Sequence, residues 1–167
     1  GIVVREFLFR QGGEDAADCA RNPLLGPRPE WAVTNRRGER LGWASPAIPQ
    51  VVDHELGILR EIASRYDVPG IQLDRIRYPA GAEEAGQETR TVKGRKVTVP
   101  SPVDYNAEAL RRFRARAGRP AGAAVDAGDP EWLRFRQEQV TEFVRAARRE
   151  LRRIRPGIVL SAAVFPV

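Results

Sequence analysis

Residues 49–74 read PQVVDHELGILREIASRYDVPGIQLD, and this run decides the fold class. Pro49 opens a helix, because a proline in the first turn gives up no hydrogen bond the helix needs. Val52, Leu56, Leu59 and Ala63 follow at helical spacing and make one apolar stripe. The helix is expected to end near Arg65–Tyr66, ahead of Asp67-Val68-Pro69-Gly70. Ile71–Leu73 then reads as a short apolar strand that finishes at Asp74. Upstream, residues 2–9, IVVREFLF, are β-branched and aromatic and read as a buried strand. Strand, helix and strand in this order form a βαβ unit, whose strands run parallel with a right-handed crossover. Between the first strand and the helix lies a polar, Gly- and Pro-rich segment, Gln11 to about Ile48, carrying Trp31 and Trp43. Loops of that length in compact domains are usually functional.

Downstream of Asp74 the chain turns polar from Pro79 to Pro102, with Thr91-Val92 and Val97–Val99 flanking Lys93-Gly94-Arg95-Lys96 as a small hairpin. A short helix is expected over Ala107–Ala117, with Leu110 and Phe113 inward and Gly118 as its stop. Asp129-Pro130-Glu131 combines an N-cap, a first-position proline and a first-turn acid, a strong helix start. Trp132, Phe135, Val140, Phe143, Ala147, Leu151 and Ile154 keep helical spacing to Arg155, Pro156-Gly157 ends the helix, and Ile158–Val164 reads as a buried strand. The order is βαβααβ, one α/β domain over residues 1–167. Both ends read as cut, since the chain opens on a strand without Met and closes just after an apolar run.

The composition, 42% apolar and 30% charged, is that of a globular chain and argues against wholesale disorder. No apolar run is long enough to span a membrane. The formal charge of +6 raises the question of a polyanion partner. The basic residues, arginines apart from Lys93 and Lys96, are spread along helix surfaces and mixed with acids, so a solvated surface is the better reading. The pattern also lacks the aromatic-basic interleaving of single-strand binders, and no nucleic-acid partner is expected. Cys19 has no second cysteine to pair with and no neighbouring histidine to activate it.

Segments inserted after strand carboxyl ends mark a parallel α/β protein with its site at that edge. The residue leaving the second strand is Asp74, followed by Arg75, Arg77 and Tyr78. A carboxylate there suits a nucleophile, a general base or a metal ligand, and equally an Asp that caps a turn through an ion pair.

Tyr66-Asp67-Val68-Pro69-Gly70-Ile71-Gln72-Leu73-Asp74-Arg75-Ile76-Arg77-Tyr78-Pro79 resembles the signature YDVDGIHxDxxRYP of the glycosyl hydrolase-like 10 family. The family's Trp-containing stretch before the helix resembles Trp43 through Pro49, and its later elements resemble Asp104–Gly118, Asp129–Pro156 and Ile158–Pro166. The resemblance implies a (β/α)8 TIM barrel, of which this chain supplies roughly strands three to five. It also implies an extracytoplasmic or secreted bacterial glycoside hydrolase acting on polysaccharides, peptidoglycan glycan strands among them, without a cofactor. Matched onto the motif, Asp74 stands where related barrels carry a catalytic Asp, with Arg77 and Tyr78 as orienting or substrate-binding neighbours. Two positions depart from the signature: Pro69 replaces Asp, and Gln72 replaces His. Gln72 still hydrogen-bonds a sugar hydroxyl but cannot titrate.

Glycoside hydrolysis normally uses a second carboxyl group. Glu6, Asp104 and Asp126 are the candidates; Glu6 is placed mid-strand beside Arg5, whereas Asp104 and Asp126 read more readily as turn or cap residues. Trp31 and Trp43 are candidate platforms for sugar rings, or else anchors of the loop on the barrel rim. His54 lies in the helix without a ligand partner at metal spacing, so no metal site is expected. A non-catalytic glycan-binding barrel that has lost a carboxylate is the alternative reading. Three strands of a barrel also leave open edges, and the inner faces of Ile71, Leu73 and Ile158–Val164 are expected to meet water.

Overall fold

A computed structural model describes residues 3–7, 20, 22–81 and 85–164, with the backbone alone for 3–7 and Val92. Cys19 lies outside the described residues. Three parallel strands form the main sheet: β1 (Val3–Phe7), β4 (Gly70–Asp74) and β7 (Val159–Ala162), in the order β1-β4-β7. The register sets Phe7 opposite Asp74 on one side of β4 and Ala162 opposite Leu73 on the other. β4 is therefore the central strand, and its carboxyl end is level with those of its neighbours.

Helix α1 (Pro49–Arg65) joins β1 to β4, and α3 (Pro130–Ile154) leads into β7. The two helices lie against each other and share one core with the sheet. Leu56, Leu59 and Ala63 of α1 pack with Phe143, Ala147 and Leu151 of α3 around Ile71 and Leu73. The α1 stripe is broader than its periodicity indicates: Val51 and Glu55 are buried too, while Val52 is only partly so. Ile71 and Leu73, at 1% and 0% exposure, face the helices and do not meet water. Ile158, just ahead of β7, is buried as well, and the expectation is corrected for these three residues. The strand that does meet water is β7, with Val159 62% exposed.

At 25 residues, α3 runs about 37 Å at the usual rise per residue, long enough to serve two cores. Its first turns pack Trp132 and Phe135 against Phe113 and Ala109 of α2 (Ala107–Arg116), forming a second cluster. Asp129 caps its start, accepting hydrogen bonds from the backbone N–H groups of Glu131 and Trp132. At its other end Arg155 donates to the carbonyls of Ala63, Tyr66 and Val68 and to the Asp67 carboxylate, tying the exit of α1 to the entry of β4.

The long segment before α1 is not structureless. After a 3-10 turn at Pro29–Trp31, β2 (Ala32–Thr34) and β3 (Arg40–Ala44) form an antiparallel hairpin. Asn35 closes it, its side-chain oxygen accepting from the N–H groups of Arg37 and Glu39. Ala32, Val33, Leu41 and Trp43 are buried in the main core. A second hairpin, β5 (Gln87–Val92) with β6 (Arg95–Pro100), sits where sequence placed one but extends further on both sides. Both hairpins and α2 lie in the segments that follow β1 and β4, so the elaboration is concentrated at the carboxyl edge of the sheet.

Candidate functional site

Side chains alternate along a strand, so with Ile71 and Leu73 buried beneath the helices, Gln72 and Asp74 take the opposite face of the sheet. Both are half-buried. Directly after Asp74 the backbone swings into the left-handed region at Arg75, whose φ is 53°. The turn is held by Arg75 N–H donating to Asp74 Oδ1 at 2.9 Å and by Arg77 N–H donating to the Arg75 carbonyl at 2.7 Å. Asp74, Arg75 and Arg77 line one cleft of about 280 Å³ with Ala163 and Val164 beyond β7. Sequence position put Asp74 at this strand end, and the structure places it there, beside two arginines.

Arg77 reaches back over the indole of Trp43, 5.1 Å from the ring centre, and its Nη1 donates to the Tyr78 carbonyl. Trp43 itself is 4% exposed. It is a support beneath Arg77 and is closed to a sugar ring, which corrects its reading as a stacking platform. Trp31 lies in a different cleft, half-buried, with Arg28 across its ring and His54 tilted against it at 5.9 Å. The clefts described do not bring Trp31 or Trp43 together with Asp74. Glu6 pairs in register with Leu73 through its backbone, and its side chain lies outside the described part of the structure. Asp126 is exposed and accepts from Gly128 N–H, a turn residue as its sequence suggested. Among the described residues no cluster of His, Cys, Asp or Glu could hold a metal ion.

The residue that sequence undervalued is Asp104. It is fully buried, and its carboxylate gathers three donors from three segments. Oδ2 accepts from Ser45 Oγ, just past β3, and from Tyr78 Oη, each at 2.9 Å. Oδ1 accepts from the amide of Asn106, which caps α2 through Ala109 N–H. Arg136 of α3 lies over the Tyr78 ring at 4.6 Å and adds its charge to the group. Burial pushes the Asp104 carboxyl up to about 6, with the Ser45 and Tyr78 hydrogen bonds, the Arg136 charge and Asn106 pulling the other way. Burial, and then the Asp104 charge, raises the Tyr78 hydroxyl well above its ordinary range. Asp104 thus moors the segment that follows Asp74 to the β2–β3 hairpin and to α2. Nothing in the local sequence separates this Asp from an ordinary turn residue, because its partners Tyr78 and Ser45 stand 26 and 59 residues away.

The glycosyl hydrolase-like 10 profile matches residues 20–167, nearly the whole chain. The chain belongs to the glycosyl hydrolase-like 10 family. This membership agrees with the signature around Asp74 and makes the protein glycoside-hydrolase-related. Among solved structures, the chain is similar to alpha-L-fucosidase isoenzyme 2 from Paenibacillus thiaminolyticus, with a TM-score of 0.58 and 15% sequence identity. That likeness covers 84% of this chain and 18% of the fucosidase chain, and at such identity it speaks to fold alone. No curated protein matches the chain. Among the described residues no helix is long and apolar enough to cross a membrane.

Proposed function

We propose that this glycosyl hydrolase-like 10 chain is part of a (β/α)8-barrel glycoside hydrolase, acting on a bacterial polysaccharide outside the cytoplasm, with Asp74 as its catalytic carboxylate. One observation carries the reading. Asp74 leaves the carboxyl end of the central parallel strand, on the face away from the helices, and lines a cleft with Arg75 and Arg77. Parallel α/β proteins place their chemistry at that edge. A carboxylate there serves as nucleophile, or as the base that activates water, in glycosidic cleavage. Arg77 and Tyr78, held by Trp43 and Asp104, keep the strand exit in one geometry, which is what a catalytic group needs from its surroundings. Gln72, on the same face two residues earlier, is placed to hydrogen-bond a sugar hydroxyl.

Hydrolysis takes a second carboxyl, about 5–5.5 Å from the first in retaining enzymes and about 6.5–9.5 Å in inverting ones. Asp104 is not that group: it is fully buried and both its oxygens are engaged. The second reading, a glycan-binding barrel without catalysis, draws on this point. Among the described residues Asp74 is the one acid lining its cleft.

The test is release of new reducing ends by the complete protein from peptidoglycan glycan strands and other bacterial polysaccharides. Asp74→Asn is expected to reduce that release by orders of magnitude while leaving the melting temperature in place. Hydrolysis undiminished by Asp74→Asn would overturn the catalytic assignment. Saturable glycan binding with no cleavage by the unaltered protein would establish the second reading.

A further inference from the structure

Away from Asp74, the structure contains a larger cleft of about 720 Å³, against about 280 Å³ at Asp74 itself. Its walls come from the β2–β3 hairpin with the 3-10 turn before it, the first turn of α1, and the start of α2. Every one of these segments follows the carboxyl end of β1 or β4. The cleft is therefore built from segments that leave the same edge of the sheet as Asp74.

The side chains that face it are of two kinds. Trp31 and Tyr105 supply aromatic walls; the half-buried Trp31 indole carries Arg28 over its ring and His54 tilted against it, and neither of these two lines the cleft. Glu30, Arg40, Gln50, Glu108 and Arg111 supply polar groups. Two guanidiniums and two carboxylates cancel, so the cleft has no net attraction for a polyanion. Each sugar hydroxyl both donates and accepts, and a wall of carboxylate, amide and guanidinium satisfies it in either sense. The apolar C–H face of a pyranose ring suits an indole. The walls are also set in advance. Tyr105 N–H donates to the Thr34 carbonyl at 2.8 Å, joining hairpin to helix start, and Arg111 grips Glu108 through two hydrogen bonds of 2.7 Å. Sites of this size, part aromatic with a few fixed polar groups, are typical of ligand pockets.

We propose that this cleft is an outlying binding subsite for neutral pyranose units of the glycan, with Trp31 as an aromatic wall and the Glu108–Arg111 pair as its hydroxyl clamp. The inference rests on the carbohydrate reading above, but it concerns a site distinct from Asp74. The same glycan chain is held here, away from the bond that is cut, so affinity and cleavage are governed by different residues.

Trp43 and Trp132 are 4% and 0% exposed, which leaves Trp31 as the tryptophan of this chain that a ligand can touch. The experiment labels the complete protein with 5-fluorotryptophan and assigns Trp31 as the fluorine resonance missing from Trp31→Phe. Cellohexaose, chitohexaose, xylohexaose and maltohexaose are then titrated to millimolar concentration, with hexagalacturonate as the acidic control. At least one neutral hexasaccharide is expected to shift the Trp31 resonance saturably, and hexagalacturonate to leave it in place. Trp31→Ala, and independently the exposed Arg111→Ala, are expected to weaken that binding by about ten-fold or more. Asp74→Asn is expected to leave the Trp31 shift intact, so a failure of the catalytic assignment shows in hydrolysis and a failure of this subsite shows in the fluorine signal. A Trp31 resonance unmoved by all four neutral glycans, or unchanged affinity in Arg111→Ala, would overturn the proposal.

Discussion

Asp104 adopts a φ of 71°, a left-handed conformation that L-residues other than Asp and Asn seldom take. That backbone turn brings its carboxylate into the space between Ser45, Tyr78 and Asn106, where water does not follow. The consequence is a pH dependence whose sign is fixed. The folded-state value is raised to about 6, so the native protein holds the proton more tightly than the unfolded chain does. The stability this contributes is fully present below about pH 4, near the unfolded value, and is lost as pH rises through about 6. A tenfold difference in proton affinity is worth about 1.4 kcal/mol, so the loss across that window is on the order of 3 kcal/mol. Urea unfolding at a series of pH values from 4 to 7 is expected to show this slope in the unaltered protein and not in Asp104→Asn, which has nothing to titrate. Identical slopes in the two proteins would remove Asp104 from the account. Asp74 was legible from sequence because its signal is local: a strand, an acid and arginines in consecutive positions. Asp104 was not, because what makes it unusual is burial, and burial is created by residues distant in sequence.

The long elements were legible for the corresponding reason. Helices α1 and α3 repeat their apolar residues many times at one period, and each turn reinforces the same face. The β2–β3 hairpin offers only eight strand residues, interrupted by Arg36, Arg37 and Glu39, and its burial comes from packing against α1 and the loop after β4 rather than from an alternating pattern of its own. β7 approaches β4 closely at one small residue. A methyl group added at Gly70 would lie 2.8 Å from the Val159 carbonyl oxygen and 3.0 Å from Val159 Cβ. The first of these is backbone and cannot rotate away, so β7 must shift. Gly70→Ala is expected to cost about 1–3 kcal/mol and to raise amide exchange along β7. Wild-type protection of the β7 amides in Gly70→Ala would mean that the strands part without penalty. The residues that follow β7, Ala163 and Val164, line the Asp74 cleft, so an element-level change is read out at the site.

At the scale of the whole molecule, two features of the surface were in question, its charge and its sheet edges. Several arginines pair with acids close at hand, in the pairs Arg65–Glu61, Arg111–Glu108, Arg145–Glu142 and Arg116–Glu138. The sheet is another matter. β4 is paired on both sides, whereas β1 and β7 each have one partner among the described residues. Along β7 the exposed Val159 lines a groove of about 530 Å³ whose apolar lining also includes Val144, Leu151, Ile158 and Leu160. An open parallel strand beside an apolar groove is a template for another strand, and barrel closure is the arrangement that removes it. If the proposed barrel is correct, residues 1–167 expressed alone retain that edge and are expected to self-associate through it. Sedimentation velocity would then show species larger than monomer that grow with concentration. Val159→Lys puts a charge where Val159 is 62% exposed, and it is expected to suppress association without unfolding the α1–α3 core. A monodisperse, cooperatively unfolding monomer would show that the three strands are sufficient by themselves, and the barrel reading would then lose its physical motive.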